Sequence, residues 1–167
     1  YVEQIYPFGQ TWMYNNTAIT FATHVVSHVG GKPIEDLIEE NLLTPLGMES
    51  TSFNYDPTPP AKDYAWGHPP IYGEGSISDL KPYYIPLIRE SAASGGIRST
   101  VTDMLKYARF QLDGKDAAGN QLLSMEALDY AHAPAVEAAA GEFTGLTWFV
   151  HDYDGVTSPF HGGNWPG

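Results

Sequence analysis

From Asn16 to Val29 the apolar residues Ala18, Ile19, Ala22, Val25, Val26 and Val29 recur at intervals of three and four, the period of one helical face. The spacing predicts a helix that buries this stripe and stops at Gly30-Gly31. A second helix follows. Pro33 suits a first helical position, and Glu35 and Asp36 fall in the first turn, where the helix dipole is positive. Ile34, Leu37, Ile38 and Leu42 form its apolar stripe, and Pro45-Leu46-Gly47-Met48 ends it. Residues 1–48 therefore read as a helical hairpin. Residues 49–93 are rich in Pro, Tyr, Gly and Asp and keep no period. A connection this long is uncommon and usually functional. Its aromatics Tyr55, Tyr64, Trp66, Tyr72, Tyr83 and Tyr84 either line a cleft or pin the loop to the surface.

Regular pattern returns in residues 94–135. Ser94-Gly95-Gly96-Ile97 reads as a turn. Thr100-x-x-Asp103 is like a capping box with Asp in place of Glu, and opens a helix to Leu112. Val101, Leu105, Ala108 and Leu112 are its expected inner stripe, and Asp113-Gly114 closes it. Ser124 caps a shorter helix to about His132. In residues 143–167, Phe143 to Val150 reads as one strand and Asp152 to Gly155 as a hairpin turn. Thr157 to His161 is the partner strand, running into Gly162-Gly163. The fold class is α+β, a helical region plus an antiparallel hairpin.

Composition narrows the partners. With 8 Lys+Arg against 20 Asp+Glu, a net charge of -12 argues against a nucleic-acid or anionic-membrane surface. No apolar window reaches the roughly 18 residues of a membrane helix. Cysteine is absent, which removes disulfides and thiolate zinc sites and leaves the compartment open, secreted or cytoplasmic. Tyr1 is not an initiator Met, and a glycine-rich turn normally leads somewhere, so the chain reads as a piece of a longer protein.

Two short motifs carry candidate chemistry. Tyr14-Asn15-Asn16 places a phenol and a carboxamide just ahead of the first helix. By themselves they are equally a packed Tyr and a helix-capping Asn. His161-Gly162-Gly163, by itself, is equally a turn with a surface His. His24 and His28 stand four apart, but on the polar side of the helix and without the glutamate of a zinc-protease motif, so no metal site is expected.

The order of the motifs resembles the serine beta-lactamase and penicillin-binding-protein superfamily, in particular the group around class C beta-lactamases, D-Ala-D-Ala carboxypeptidases, D-aminopeptidases and related esterases. That superfamily carries S-x-x-K, then Y-x-N, then K-T-G or H-x-G. Tyr14-Asn15-Asn16 is similar to the second element and His161-Gly162-Gly163 to the third. Gly31-Lys32-Pro33 through Pro45-Leu46-Gly47-Met48-Glu49-Ser50-Thr51 resembles the superfamily's "GxP … PLGMxxT" helix. Ala92-Ala93-Ser94-Gly95-Gly96-Ile97-Arg98-Ser99-Thr100-Val101-Thr102-Asp103-Met104 resembles its "AGGLxSTxxDM" segment. The first element is not found ahead of Tyr14. Ser78-Asp79-Leu80-Lys81 fits S-x-x-K, but it follows Y-x-N and abuts Pro82, which disfavours the helix that would bring Lys Nζ to Ser Oγ.

The resemblance implies a partial beta-lactamase/transpeptidase-like domain, the C-terminal portion of a serine hydrolase acting on an ester, amide or lactam. The nucleophile is expected in the missing N-terminal part of the same protein, and this chain alone is expected to be inactive. Tyr14 would be the base or proton relay. A phenol of ordinary pKa, about 10, needs a neighbouring cation for that role. Asn16 would hold the substrate amide, and His161 would replace the K-T-G lysine. Histidine is only partly charged at neutral pH, which favours an esterase or aminopeptidase over a beta-lactamase. Gly162 and Gly163 would leave room for substrate, and the Asn164 N–H would be an oxyanion donor. A small-molecule acyl substrate is implied, and no cofactor. A non-catalytic binding or sensor domain on the same fold is the alternative.

Overall fold

The computed structural model describes residues 6–7, 9–53, 55, 64–67 and 89–163. Helix α1 spans Asn16–Gly30, opened by the Asn15 carboxamide, whose Oδ1 accepts the Ala18 N–H at 3.0 Å. Gly31, at φ 66°, ends it in the left-handed region that glycine enters without steric cost. The second helical stretch is continuous but not uniform. It runs as α2 (Ile34–Ile38), a π-helical turn (Glu39–Leu43) and α3 (Thr44–Leu46). Its end is a Schellman motif: Met48 N–H donates to Leu43 O at 2.9 Å and Gly47 N–H to Thr44 O at 3.0 Å.

The apolar stripe of α1 is not buried. Val25, Val26 and Val29 are 63%, 49% and 81% exposed, although α2 and a 3-10 turn (Arg89–Ser94) lie against this helix. The second stretch does supply the core: Leu43, Leu46 and Met48 pack on Phe110, flanked by the half-buried Ile38, Leu42 and Tyr107. Each such buried side chain contributes about 1.5–3 kcal/mol relative to exposure.

Phe110 belongs to α4 (Val101–Asp113), where the expected face is reversed. Val101, Leu105, Ala108 and Leu112 face outward, and the inner face is Asp103, Tyr107 and Phe110. Two positions rotate a helix by about 200°, so the apolar stripe and the buried stripe lie on opposite sides. What turns α4 inward on Asp103 is hydrogen bonding. The Thr100 hydroxyl accepts the Asp103 N–H at 3.3 Å, the first half of a capping box. The Asp103 carboxylate goes elsewhere. Oδ2 accepts the Ser50 N–H at 2.8 Å and the Thr51 hydroxyl at 2.9 Å. Oδ1 accepts Lys106 Nζ at 2.8 Å, and the same ammonium donates to Gly47 O. Since Thr51 spends its one proton on Asp103, the Ser99 hydroxyl at 2.7 Å must donate to Thr51. Beside this clasp Ser52 and Arg98 exchange both backbone hydrogen bonds at 3.0 Å.

A second polar cluster pins the intervening segment. Glu35 Oε1 accepts Arg89 Nη1 at 2.6 Å and the Tyr55 hydroxyl at 3.0 Å, and the guanidinium lies 4.4 Å from the Tyr55 ring centre. Burial, then the hydrogen bond to Glu35 and its charge, push the Tyr55 phenol up to about 12. Tyr55 therefore pins its segment to α2, and Tyr64 packs edge-on against Trp66 with Arg98 over its ring. Tyr72, Tyr83, Tyr84 and the Ser78–Lys81 stretch lie outside the described residues.

The single strand expected over Phe143 to Val150 is two strands, and the sheet is larger than a hairpin. It has four antiparallel strands in the order β1 (Val136–Ala139), β2 (Glu142–Thr144), β3 (Phe149–Tyr153) and β4 (Val156–Phe160). The break follows from docking. Helix α5 (Met125–His132), capped by Ser124 as its sequence predicts, leaves terminal carbonyls to satisfy. Leu146 N–H donates to Ala131 O at 3.0 Å, and a Cβ on Gly145 would stand 2.6 Å from that same oxygen. The β3–β4 turn is the expected one: Asp154 and Gly155 both have positive φ, at 53° and 82°, the geometry that suits tight hairpins. Among the described residues no helix is long and apolar enough to cross a membrane.

Lys106, above all, then Thr51 and Ser50, hold the Asp103 carboxyl below the usual carboxylate range against the opposing effect of burial. A depressed carboxylate contributes stability that is whole above its unfolded pKa and is lost as pH falls through the folded value. Asp103→Asn should therefore lower the melting temperature at pH 7, by on the order of 5–10 °C. The gap to wild type should narrow below about pH 4. Differential scanning calorimetry from pH 7 to 3 checks both parts, and a gap independent of pH would count against the charge.

Candidate active site

The segment ahead of α1 turns at Gly9, with Gln10 N–H donating to Pro7 O at 3.4 Å, and reaches the helix cap with Asn15 extended. Trp12 and Tyr14 stand two apart on it, with their rings in edge-on contact. Tyr14 is 51% exposed. Capping falls to Asn15, which leaves the exposed Asn16, first residue of α1, outside the cap hydrogen bond.

His161 arrives from the opposite direction. In the β3–β4 ladder Phe149 pairs with Phe160, and His161 is the next residue out. Its Nδ1 lies 2.6 Å from Gly162 O. A carbonyl can only accept, so Nδ1 carries the proton and Nε2 is the acceptor of the neutral ring.

The structure brings the two predicted rings together. Tyr14 and His161 have ring centroids 6.0 Å apart, inclined at 43°. Trp12 stands edge-on to Tyr14 at 6.3 Å and edge-on to Phe149 at 5.5 Å. Phe149 closes the group, 5.5 Å from His161 and stacked on Phe160 at 5.6 Å. Trp12 and Phe149 were not among the predicted site residues. Trp12 is legible only as a neighbour of Tyr14 two residues away, and Phe149 reads simply as a strand residue.

Gly162 and Gly163 are exposed; neither has a positive φ, and a Cβ on either would meet nothing within 4 Å. Neither backbone conformation nor internal packing requires glycine there. Asn164, the expected oxyanion donor, lies outside the described residues. His24 and His28 are both exposed, and among the described residues no three His, Asp or Glu side chains gather as metal ligands do.

The chemistry available in this wall is proton transfer: an exposed phenol, an imidazole with one fixed N–H, and a flanking carboxamide. Removing the cap separates the two asparagines: Asn15→Ala should cost about 1 kcal/mol of stability and Asn16→Ala close to nothing, as read from denaturant midpoints.

Comparison with known proteins places the chain in a family. The beta-lactamase family model matches residues 1–167. Over 169 residues the chain is 27% identical to the unguisins hydrolase ungD′ of Aspergillus campestris, covering 98% of this chain and 30% of that protein. A penicillin-binding protein from Bacillus halodurans superposes with a TM-score of 0.71 at 24% identity, covering 92% of this chain and 44% of its own. A D-stereospecific amidohydrolase from Streptomyces sp. superposes at 0.78 with 20% identity, covering 99% and 47%. The chain thus spans less than half the length of each.

Proposed function

The chain belongs to the beta-lactamase family, and on that premise we propose that it supplies the proton-relay and substrate walls of a serine hydrolase working through an acyl-enzyme. Its fold is that of the family's serine hydrolases, helices beside an antiparallel sheet. The observation that carries the reading is the approach of the Tyr14 phenol to the His161 imidazole, 6.0 Å between ring centres, from segments at opposite ends of the sequence.

In this reading the attacking serine and its lysine come from a Ser-x-x-Lys element outside these residues. The open apolar stripes of α1 and α4 support it, since faces of that kind are normally buried inside a fuller domain. The Tyr14 phenolate, paired with that lysine ammonium, takes the serine proton as the hydroxyl adds to the substrate carbonyl. Collapse of the tetrahedral intermediate releases the alcohol or amine, which takes that proton back from Tyr14. Water then attacks the ester by the same relay and frees the acid. Asn16 orients the acyl-side amide. Gly162 and Gly163, which nothing in the local fold demands, leave the strand edge clear for substrate.

The acid or lactam carboxylate that a permanent lysine cation would hold finds only an imidazole at His161. This favours uncharged esters and amides, the esterase or aminopeptidase type, over beta-lactams. The relatives named as hydrolase and amidohydrolase are of the same chemical class.

Intact-mass labelling of the full-length protein with a fluorophosphonate should add one phosphonyl group, and a penicillin should add little. Tyr14→Phe in that protein should reduce ester turnover by about 10² to 10⁴. An unlabelled protein would leave the fold as a binding or sensor domain instead, and an undiminished Tyr14→Phe rate would remove the relay role from Tyr14.

A further inference from the structure

Trp12, Tyr14, His161 and Phe149 form a closed circuit of rings, with successive centroids 6.3, 6.0, 5.5 and 5.5 Å apart. Two of the four carry the proposed chemistry. The other two, both half-buried, have no group that titrates or attacks. Resting on the acyl-transfer reading above, we propose that Trp12 and Phe149 are positioning residues whose edge-to-face contact sets the separation of the Tyr14 phenol and the His161 imidazole.

The argument is one of remaining freedom. The Asn15 cap fixes how Tyr14 leaves α1, and the β3–β4 ladder fixes His161 relative to Phe149 through the Phe149–Phe160 pair. Neither fixes the height of the Tyr14 segment above the sheet. Among the described ring contacts, two cross that gap: Tyr14 on His161 and Trp12 on Phe149. The first joins two exposed rings that must stay accessible to substrate, so it is a poor anchor. The second joins two half-buried rings at an edge-to-face angle of 66°, the preferred arrangement of aromatic pairs. Because Trp12 packs edge-on against Tyr14 two residues along the same short segment, seating Trp12 on Phe149 seats Tyr14 beside His161. A proton relay misplaced by about 1 Å loses up to about 10²-fold in rate, so a spacer of this kind matters to turnover without touching substrate.

The test has a structural arm that needs no activity. In the chain with labelled aromatic rings, nuclear Overhauser cross-peaks between Tyr14 and His161 should be present. They should vanish in Trp12→Leu and in Phe149→Leu, and return in Trp12→Phe and Phe149→Tyr, with amide dispersion retained. Cross-peaks that persist in Trp12→Leu would overturn the proposal. Should Phe149→Leu lose its sheet, Trp12→Leu, on a loop outside the ladder, decides alone.

The kinetic arm uses the full-length protein. Trp12→Leu should lower kcat on a nitrophenyl ester by up to about 10²-fold with a smaller change in KM, and Trp12→Phe should restore it. An unchanged kcat in Trp12→Leu would again overturn the assignment. If the protein takes no fluorophosphonate, the acyl-transfer reading fails, while the cross-peaks still report whether the two rings space the pair.

Discussion

A carboxylate 3% exposed to solvent has to be satisfied, and the arrangement of the helical part follows from how Asp103 is satisfied. Its three donors come from two places: the Ser50 amide and Thr51 hydroxyl after the first helices, and Lys106 one turn along α4. Lys106 also reaches the terminal carbonyl at Gly47, so the end of one helix and the beginning of another share a single ammonium. These directional bonds fix the rotation of α4 about its axis. The apolar core of Leu43, Leu46, Met48 and Phe110 then fills the angle they define. Hydrophobic burial supplies most of the driving force, but it is non-directional, and the clasp chooses the face.

The sheet depends on this arrangement only indirectly. It is tied to the helices at the end of α5, where Gly145 and Leu146 approach the terminal carbonyls, and at the aromatic circuit. The candidate site lies at the second of these junctions. Its rings therefore serve two ends, packing the two parts against each other and presenting polar atoms to the solvent side. This explains why the phenol and the imidazole there are exposed while Trp12 and Phe149 beside them are half-buried.

Much of the local structure was legible because local chemistry decides it. The Asn15 and Ser124 caps, the glycine that ends α1, and the Asp154-Gly155 turn act within four residues and appear where their sequence signals stand. The motif order identified the family and brought Tyr14 and His161 forward as a pair. The α1 stripe stays exposed where burial was expected, and the other two errors share one cause, a long-range partner that outweighs a local pattern. The apolar stripe of α4 pointed to Val101 and Leu105, but hydrogen bonds from residues fifty positions away turned Asp103 inward. The strand expected from Phe143 to Val150 reads as continuous until the carbonyl at Ala131 claims Leu146. Trp12 and Phe149 gave no functional signal for the same reason: each is an ordinary aromatic until the other is placed beside it.

That pairing also bears on the histidine where its relatives' motif allows lysine. An ammonium on a flexible stem would meet Phe149 and Tyr14 as a point charge over a ring face. A flat imidazole instead lies tilted between both rings at 5.5 and 6.0 Å, its Nδ1–H held by the Gly162 carbonyl. Fixing that tautomer leaves the other nitrogen as the only one free to exchange a proton. In the proposed reading a permanent cation is exchanged for an imidazole whose orientation is set by its aromatic neighbours and the Gly162 carbonyl. The identity of residue 161 and of the rings at positions 12 and 149 is, on this view, one physical choice made at three places in the sequence.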